Sequence, residues 1–404
     1  MKKLQALGGK LLLLLLSLVL TLGAVEVLVR IVRPCPRYEY INVPDDRVGH
    51  VVQRGFRGRA TNMFGEFDTR LDINKEGFRD TDHPLEKSPG VYRIAFLGDS
   101  FTFAEQVEEP DCFVRLTETL LNRSMPQRQP PGPKIECMNF GMGGYEIYQY
   151  LLCYEAFVRK YKPDMVVTVI YTDNDLLGNA FYLLDSNAGR PHFRLKNGQP
   201  EKVSANPELL EANYQKFKKR LKVHWYQHLH CYNLHKLVFW EIRQKQRLAR
   251  ARKQKLPLTE LWKESGYRSY RYYATGINDP IVAEADTLSR LLLQKLQQEV
   301  EADGAKFRVV MLPCANSLFP EKWPERLHYL PGLENVPMDF NRPFDQIRAF
   351  LPSLAANGGL LDTRPALRDA AKKAPVFYPR DSHFNKNGQA AVGQAIAEWL
   401  FLGL

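Results

Sequence analysis

The feature that most constrains the fold of this chain is a series of short apolar runs, each the length of one β-strand. The run from Met165 to Tyr171 is almost continuously apolar and β-branched, which is typical of a strand covered on both faces. Helix-compatible stretches separate most of these runs. The alternation predicts an α/β fold with a doubly wound parallel sheet. The five predicted strands are 91–97, 134–140, 165–171, 307–312 and 360–362.

The pattern divides the chain into three parts. Residues 1–33 form an apolar N-terminal segment, residues 34–90 a β-rich lead, and residues 91–404 the α/β domain. The long gap between the third and fourth predicted strands, about 180–306, predicts a mainly helical insertion. We expect this insertion to begin with a hairpin around Asn197-Gly198 and to end in an amphipathic helix that stops at Gly304.

The N-terminal segment has the pattern of a targeting signal. Lys2 and Lys3 precede an apolar run from Leu11 to Val25, and apolar residues continue to Val32. Counted to Val32 the run is long enough to span a bilayer. We therefore expect an uncleaved single-pass anchor in the cell membrane, with the remainder of the chain periplasmic or extracellular. Cleavage near Gly23 would instead give a secreted protein.

The charge of the chain is concentrated in one stretch. The 404 residues carry a formal net charge of +11, yet residues 216–255 alone hold 13 Lys and Arg against a single acid, Glu241. The rest of the chain is therefore close to neutral. Because we expect the chain to be exported, we expect no nucleic-acid partner. Contact with anionic lipid or an acidic polysaccharide is one interpretation of the stretch, and a solvated helix surface is the other.

Cysteine and histidine spacing gives little support for a metal site. The six cysteines include no C-x-x-C pair, and Cys137 and Cys314 lie in or beside apolar runs, where we expect small buried hydrophobes. His224, His228, Cys231 and His235 fall at helical steps. One helix would spread them over about 16 Å, too far for one ion, so only a pair such as His224 and His228 could bind a metal. We expect no metal at the functional site.

Polar residues follow the predicted strands where their carboxyl ends meet, which is the usual ligand site of such a sheet. A serine hydroxyl is a weak nucleophile that needs an adjacent base, and the base needs a group to orient it. Ser100, His383 and Asp381 supply these three roles. A tetrahedral oxyanion needs preorganised donors, for which the Ser100 N–H, the Gly144 N–H and the Asn174 amide are candidates.

These residues occur in motifs that resemble the SGNH (GDSL) hydrolase superfamily. The block Gly98-Asp99-Ser100-Phe101 resembles its first motif, Gly144 the second-motif glycine, Asn174 the asparagine of G-x-N-D, and Asp381 with His383 the last motif. The resemblance implies a flavodoxin-like three-layer sandwich, ester hydrolysis or O-acyl transfer, and no metal or organic cofactor. It also implies a membrane-anchored bacterial branch, and it covers residues 38–179 and 307–404 but not the insertion.

Two positions depart from the usual motifs. Thr172 stands where G-x-N-D has glycine, and the acid and base are spaced D-x-H, as in acetyltransferase-like branches. We therefore expect a serine ester hydrolase acting on acyl esters, with O-acetyl groups of cell-envelope glycans as the candidate substrate. The alternatives are an O-acyltransferase that modifies a surface polysaccharide and a non-catalytic glycan-binding or assembly protein on the same fold.

Overall fold

The computed structural model describes residues 2–35, 42–183, 189–222, 224–254, 256–264 and 266–404. The chain begins with a long helix, α1, at Lys2–Val32, and continues into two small antiparallel hairpins. The first hairpin pairs β1 with β2 and the second pairs β3 with β4, and both lie in the segment for which the sequence predicts a β-rich lead. The bounds are β1 Asn42–Asp45, β2 Gly49–Val52, β3 Arg57–Thr61 and β4 Asp68–Asp72.

The main sheet has five parallel strands, and each lies on one of the predicted apolar runs. The strands are β5 Val91–Gly98, β6 Lys134–Gly141, β7 Met165–Tyr171, β10 Lys306–Leu312 and β11 Leu360–Asp362, with the hairpin β8 His192–Lys196 and β9 Gln199–Val203 intervening in sequence. In space the order is β11-β10-β7-β5-β6. This is the flavodoxin-like order, so the predicted fold class is confirmed.

Helices cover both faces of the sheet and complete the three layers. One apolar core packs the lead hairpins and the helices Ile147–Cys153 and Pro280–Ala302 against one face. The other packs the helices Phe113–Ser124 and Lys386–Gly403 against the opposite face. The helices after α1 are α2 Ser100–Phe103, α3 Phe113–Ser124, α4 Ile147–Cys153, α5 Asp175–Gly178, α6 Pro207–Leu221, α7 His230–Gln254, α8 Leu258–Leu261, α9 Tyr270–Tyr273, α10 Pro280–Ala302, α11 Ala315–Leu318, α12 Trp323–Leu327, α13 Arg342–Phe350, α14 Pro352–Ala356, α15 Arg364–Ala371 and α16 Lys386–Gly403.

Residues 101–122, which follow the first sheet strand, have a helix-compatible composition but do not form a single helix. Helix α2 ends after one turn because Ala104 adopts a left-handed conformation with φ of 54°. A separate helical turn containing Pro110 follows, and α3 begins only at Phe113. The break keeps the start of α2 a short turn at the edge of the sheet, which is where Ser100 lies.

The carboxyl ends of β5 and β6 approach α2 so closely that Gly141 is needed. A Cβ on Gly141 would lie 2.5 Å from the Phe103 backbone nitrogen and 2.6 Å from the carbonyl carbon of Thr102. Because both contacts are backbone atoms in a packed core, no side-chain rotation relieves them. The glycine therefore lets the strand end lie directly against the helix that begins at Ser100.

We expect Gly141→Ala to lower the free energy of unfolding by about 1–3 kcal/mol or more, the usual cost of overpacking a core. Chemical denaturation in detergent, followed by circular dichroism, measures the change. Gly403→Ala is the matched control, since nothing lies within 4 Å of a Cβ at that helix position. Equal stability of the two variants would show that the contact at Gly141 is not tight.

The N-terminal helix is set apart from the core. Its segment Leu7–Val32 is long and apolar enough to cross a membrane, and none of that segment is buried within the protein. The helix touches the insertion through α7: Glu26 accepts hydrogen bonds from the backbone N–H groups of His230 and Cys231 at 2.9 and 3.0 Å. The insertion is therefore attached to the end of the apolar helix that leads into the main domain.

Candidate active site

Ser100, His383 and Asp381 lie in one hydrogen-bonded line at the carboxyl end of the sheet. The Ser100 Oγ is 2.8 Å from His383 Nε2, and His383 Nδ1 is 2.5 Å from Asp381 Oδ1. The structure thus brings Ser100 together with two residues that lie more than 280 positions later in the sequence. This is the geometry of a nucleophile, a general base and the carboxylate that orients the base.

The sequence around Ser100 explains its placement. Strand β5 ends at Gly98, and the Asp99 carboxylate accepts the Phe101 N–H at 2.9 Å, which caps the start of α2. The Phe101 ring stacks on Tyr171 with ring centroids 4.1 Å apart and lies 4.7 Å from the His383 ring. The serine is thereby held on a fixed turn, and the imidazole rests against an aromatic side chain.

The Asp381-Ser382-His383 segment is a tight turn. Ser382 has φ of 72°, a left-handed conformation that is unfavourable for residues other than glycine. The Tyr378 backbone N–H donates to the His383 carbonyl at 2.9 Å. This local geometry lets the carboxylate and the imidazole meet although only one residue separates them. The short D-x-H spacing therefore supports the same contact that a longer spacing would.

The surroundings of His383 and Asp381 favour their charged forms. Burial alone would lower the pKa of His383, but the hydrogen bond and charge of Asp381 raise it above the ordinary value of 6.5. Burial would likewise raise the pKa of Asp381, and the bond to His383 outweighs it, so that the carboxyl has a pKa below its ordinary value. Asp381 is then ionised at neutral pH, which is the state in which a carboxylate is able to stabilise a protonated imidazole beside it.

We expect kcat/KM for a model ester to rise with pH through an apparent pKa above 6.5, because only neutral His383 accepts the serine proton. A raised folded-state pKa has the opposite effect on stability: the contribution is present at low pH and is lost as the pH rises through that pKa. A pH–rate profile in the free-enzyme regime measures the first effect. An apparent pKa well below 6.5 would show that another group is the base.

Two residues of the lead, Asn62 and Glu66, support the Asp381 loop, and the motif analysis did not identify them. Glu66 accepts the backbone N–H groups of Arg380 and Asp381, one on each carboxylate oxygen, at 2.8 and 2.9 Å. Asn62 Nδ2 lies 3.1 Å from Glu66 Oε2 and 3.4 Å from Asp381 Oδ2. The second lead hairpin thus holds the loop that carries the Asp381 carboxylate through hydrogen bonds.

We expect Glu66→Gln to lower kcat about tenfold with little change in KM, since an amide offers one acceptor oxygen where the carboxylate offers two. Glu108→Gln is the matched control. Glu108 is also a lead-contacting carboxylate, which accepts the Arg70 N–H at 3.2 and 3.3 Å, and it lies outside the site. Equal kcat values for the two variants would show that Glu66 does not support catalysis.

The proposed oxyanion-hole residues occupy different environments. Gly144 is exposed, has φ of 75° and has nothing within 4 Å of a Cβ position, so its N–H belongs to an open turn after β6. Asn174 lies at the start of α5, and its side chain is close to the buried carboxyl of Glu146. An Asn amide has two N–H donors, which is what a substrate oxygen at this position would require. Their joint action on an oxyanion remains a prediction.

Glu146 belongs to a group of buried carboxyls beneath the site. Burial and the negative charge of Asp99 raise the pKa of Glu146, and burial likewise raises the pKa of Asp175. The pKa of Asp99 is raised to about 6. Asp175 accepts bonds from the Tyr150 hydroxyl at 2.6 Å and the Tyr171 N–H at 2.8 Å. These contacts hold the Asp175 carboxyl between α4 and the end of β7.

The threonine that replaces the motif glycine, Thr172, has a structural role. Thr172 is buried, and its backbone N–H and its hydroxyl both donate to the Leu312 carbonyl at 3.0 Å. These bonds tie the ends of β7 and β10 together, which a glycine would do only through its N–H. Asp173, which follows, accepts the Tyr273 hydroxyl at 3.1 Å.

The helical-step interpretation of the histidines before and within α7 is wrong. His224 precedes a separate helical turn at Trp225–His228, and α7 begins only at His230, because Leu229 adopts an extended conformation. The His224 and Tyr226 rings stack 5.3 Å apart, and Tyr226 packs edge-on against Tyr232. Among the residues that the structure describes, no group of three or more His, Cys, Asp or Glu side chains could hold a metal ion.

Comparison with known proteins gives a partial family match. Residues 275–402 match the model of the family described as SGNH hydrolase-like domain, acetyltransferase AlgX. No similar sequence was found among curated proteins. Several solved structures resemble the chain at low identity.

TesA is 12% identical, with a TM-score of 0.34 over 76% of this chain and 97% of that one. A catalytic mutant of Axe2, an acetylxylan esterase from Geobacillus stearothermophilus, is 13% identical, with a TM-score of 0.35 over 76% and 94%. A GDSL-like lipase from Bacteroides thetaiotaomicron is 11% identical, with a TM-score of 0.36 over 80% and 93%. Because these TM-scores are below 0.5, the fold assignment depends on the observed strand order. Residues 275–402 are therefore similar to an SGNH hydrolase-like domain, and the strand order of the sheet agrees with that similarity.

Proposed function

We propose that the chain is a membrane-anchored serine enzyme that cleaves acyl esters through an acyl-enzyme on Ser100. The observation that carries the proposal is the hydrogen-bonded line from Ser100 Oγ through His383 to Asp381, at 2.8 and 2.5 Å. Ester hydrolysis is the first candidate, with O-acetyl groups of cell-envelope glycans as the substrate class. The apolar helix Leu7–Val32 would hold the domain at the outer surface of the membrane.

The geometry supports a two-step mechanism. Ser100 Oγ attacks the ester carbonyl while its proton passes to His383 Nε2, and Asp381 stabilises the resulting imidazolium. The tetrahedral intermediate collapses, His383 returns the proton to the departing alcohol oxygen, and the acyl group remains on Ser100. A second hydroxyl compound then loses its proton to His383 Nε2 and attacks the acyl-serine. The new tetrahedral intermediate collapses, and His383 returns the proton to the departing Ser100 Oγ. If that compound is water, the reaction is hydrolysis.

O-acetyl transfer to a polysaccharide hydroxyl is the second candidate function. Two observations favour it: the D-x-H spacing of Asp381 and His383, and the acetyltransferase named in the matched family description. The chemistry differs only in which hydroxyl resolves the acyl-serine. The residues named above would have the same roles in both reactions.

One assay separates these functions. Full-length protein in detergent is given p-nitrophenyl acetate with and without neutral and acidic oligosaccharides, and both released acetate and acetylated sugar are measured. Free acetate alone supports the hydrolase, and acetylated sugar above the uncatalysed level supports the transferase. Absence of both products from folded protein, with no difference from Ser100→Ala, would favour a non-catalytic role.

A further inference from the structure

A surface feature that the proposed chemistry leaves unexplained lies in the insertion, just before α7. Trp225 is 76% exposed and Leu221 is 44% exposed. Exposed lysines are close to them in the sequence, which has no acidic residue from 212 to 240. We name this surface the basic aromatic patch; it consists of Leu221, Trp225 and the exposed lysines Lys216, Lys218, Lys219 and Lys222.

The patch is held near the apolar N-terminal helix. The Glu26 carboxylate of α1 accepts the N–H groups of His230 and Cys231, the first residues of α7. The Cys35 N–H, just beyond α1, donates to His230 Nδ1 at 2.9 Å. Trp225 precedes His230 by five residues and lies in the helical turn Trp225–His228, where its ring packs edge-on against Tyr226. The Trp225 backbone is therefore within about 20 Å of the Glu26 carboxylate, given the reach of an extended chain.

The depth of Glu26 follows from helix length. With the Lys10 side chain extended toward the nearer headgroups, residues Leu7 to Val25 span about 28 Å at ~1.5 Å per residue, close to the ~30 Å thickness of a bilayer hydrocarbon core. Glu26, paired with Arg30 at 2.7 Å, then lies at the outer boundary of that core. The polar start of α7 cannot enter hydrocarbon, so it must lie at or outside the same boundary. Trp225, five residues before His230, is then close to the level of the lipid headgroups.

We propose that the basic aromatic patch is a second membrane contact, in which Trp225 and Leu221 enter the headgroup boundary and the lysines bind anionic lipid heads. This inference rests on the membrane anchor of the proposed function. Tryptophan is enriched at this depth, and clustered lysines favour anionic leaflets. An acidic polysaccharide would satisfy the lysines but would leave the exposed indole and leucine in water.

The second contact orients the active site. The Pro34 carbonyl oxygen would lie 2.9 Å from a Cβ on Gly65, so the chain leaving the anchor packs on the loop that contains Asn62 and Glu66. That loop holds Asp381. With two attachments to the bilayer, the carboxylate side of the active site faces the membrane. Esters presented at the membrane surface are therefore the substrate class that this placement favours.

Tryptophan quenching by lipids tests the contact. Full-length protein is reconstituted into nanodiscs of phosphatidylcholine, with or without phosphatidylglycerol, in which some lipids carry bromine in their acyl chains. We expect brominated lipid to quench part of the fluorescence, more strongly with phosphatidylglycerol. Trp225→Phe should lose most of that quenching, whereas Trp399→Phe, a control in α16, should retain it. Glutamine at the four patch lysines should remove the dependence on phosphatidylglycerol.

The outcomes distinguish this inference from the anchor itself. Quenching that is unchanged in Trp225→Phe, in protein that still co-elutes with the nanodisc, overturns the second contact and leaves the anchor intact. Protein that fails to co-elute overturns the anchor and with it this inference. Spectral changes of Trp225 on addition of an acidic polysaccharide but not of lipid would assign the patch to a glycan and overturn the lipid contact.

Discussion

Ser100→Ala is expected to abolish ester turnover, lowering kcat by roughly 10⁴-fold or more, because the methyl group cannot form the acyl intermediate. The Ser100 Oγ is the atom that His383 Nε2 contacts at 2.8 Å, so the variant removes the nucleophile and leaves the imidazole and carboxylate in place. Steady-state hydrolysis of p-nitrophenyl acetate measures the loss. Binding of an unreactive ester analogue should persist, since the other side chains around residue 100 are unchanged.

The control for this loss is Ser124→Ala, at the end of α3, outside the site. It should keep wild-type kcat and KM. If Ser100→Ala retained activity while its circular dichroism matched that of the wild type, the acyl-serine mechanism would be wrong.

Asp381→Asn should lower kcat by about 10³–10⁴-fold while changing KM little. An amide at this position donates where the carboxylate accepts, so it favours the imidazole tautomer in which Nε2 carries the proton and cannot take one from Ser100. The variant also removes the negative charge that raises the pKa of His383. The remaining activity should therefore titrate at a lower pH than that of the wild type.

Asp369→Asn is the matched control, because Asp369 is exposed and bonds only locally with Lys372 at the surface of the domain. Its kinetics and pH profile should equal those of the wild type. An Asp381→Asn profile that kept the wild-type pKa would mean that Asp381 does not act through His383.

The architecture could be predicted from the sequence because its strands are continuous apolar runs with few competing interpretations. Strand β7 coincides with the predicted Met165–Tyr171, and β11 with the predicted short strand at 360–362. The predicted hairpin around Asn197 forms between β8 and β9. Periodicity failed where one backbone conformation decided the outcome: Ala104 ends α2 after one turn, and Leu229 separates His228 from α7.

The residues of the site could be predicted from the sequence only where they belong to short, recognisable motifs. Ser100, Asp381 and His383 stand next to strand ends or in a recognisable block, and the structure places them in contact. Glu66 acts through two backbone N–H groups more than 300 residues away, and no spacing in the sequence indicates such a pair. An acidic residue in a polar lead has no signal of its own until the tertiary fold brings the Asp381 loop to it.

Fluorophosphonate labelling, followed by peptide mass spectrometry of the full-length protein, tests the central claim most directly. A fluorophosphonate reacts with a serine whose proton is taken by an adjacent base, and the adduct marks that serine. We predict one adduct on the peptide that contains Ser100, absent from Ser100→Ala and strongly reduced in Asp381→Asn. No adduct on correctly folded wild-type protein, or an adduct that persists in Ser100→Ala, would contradict the assignment of Ser100 as the nucleophile.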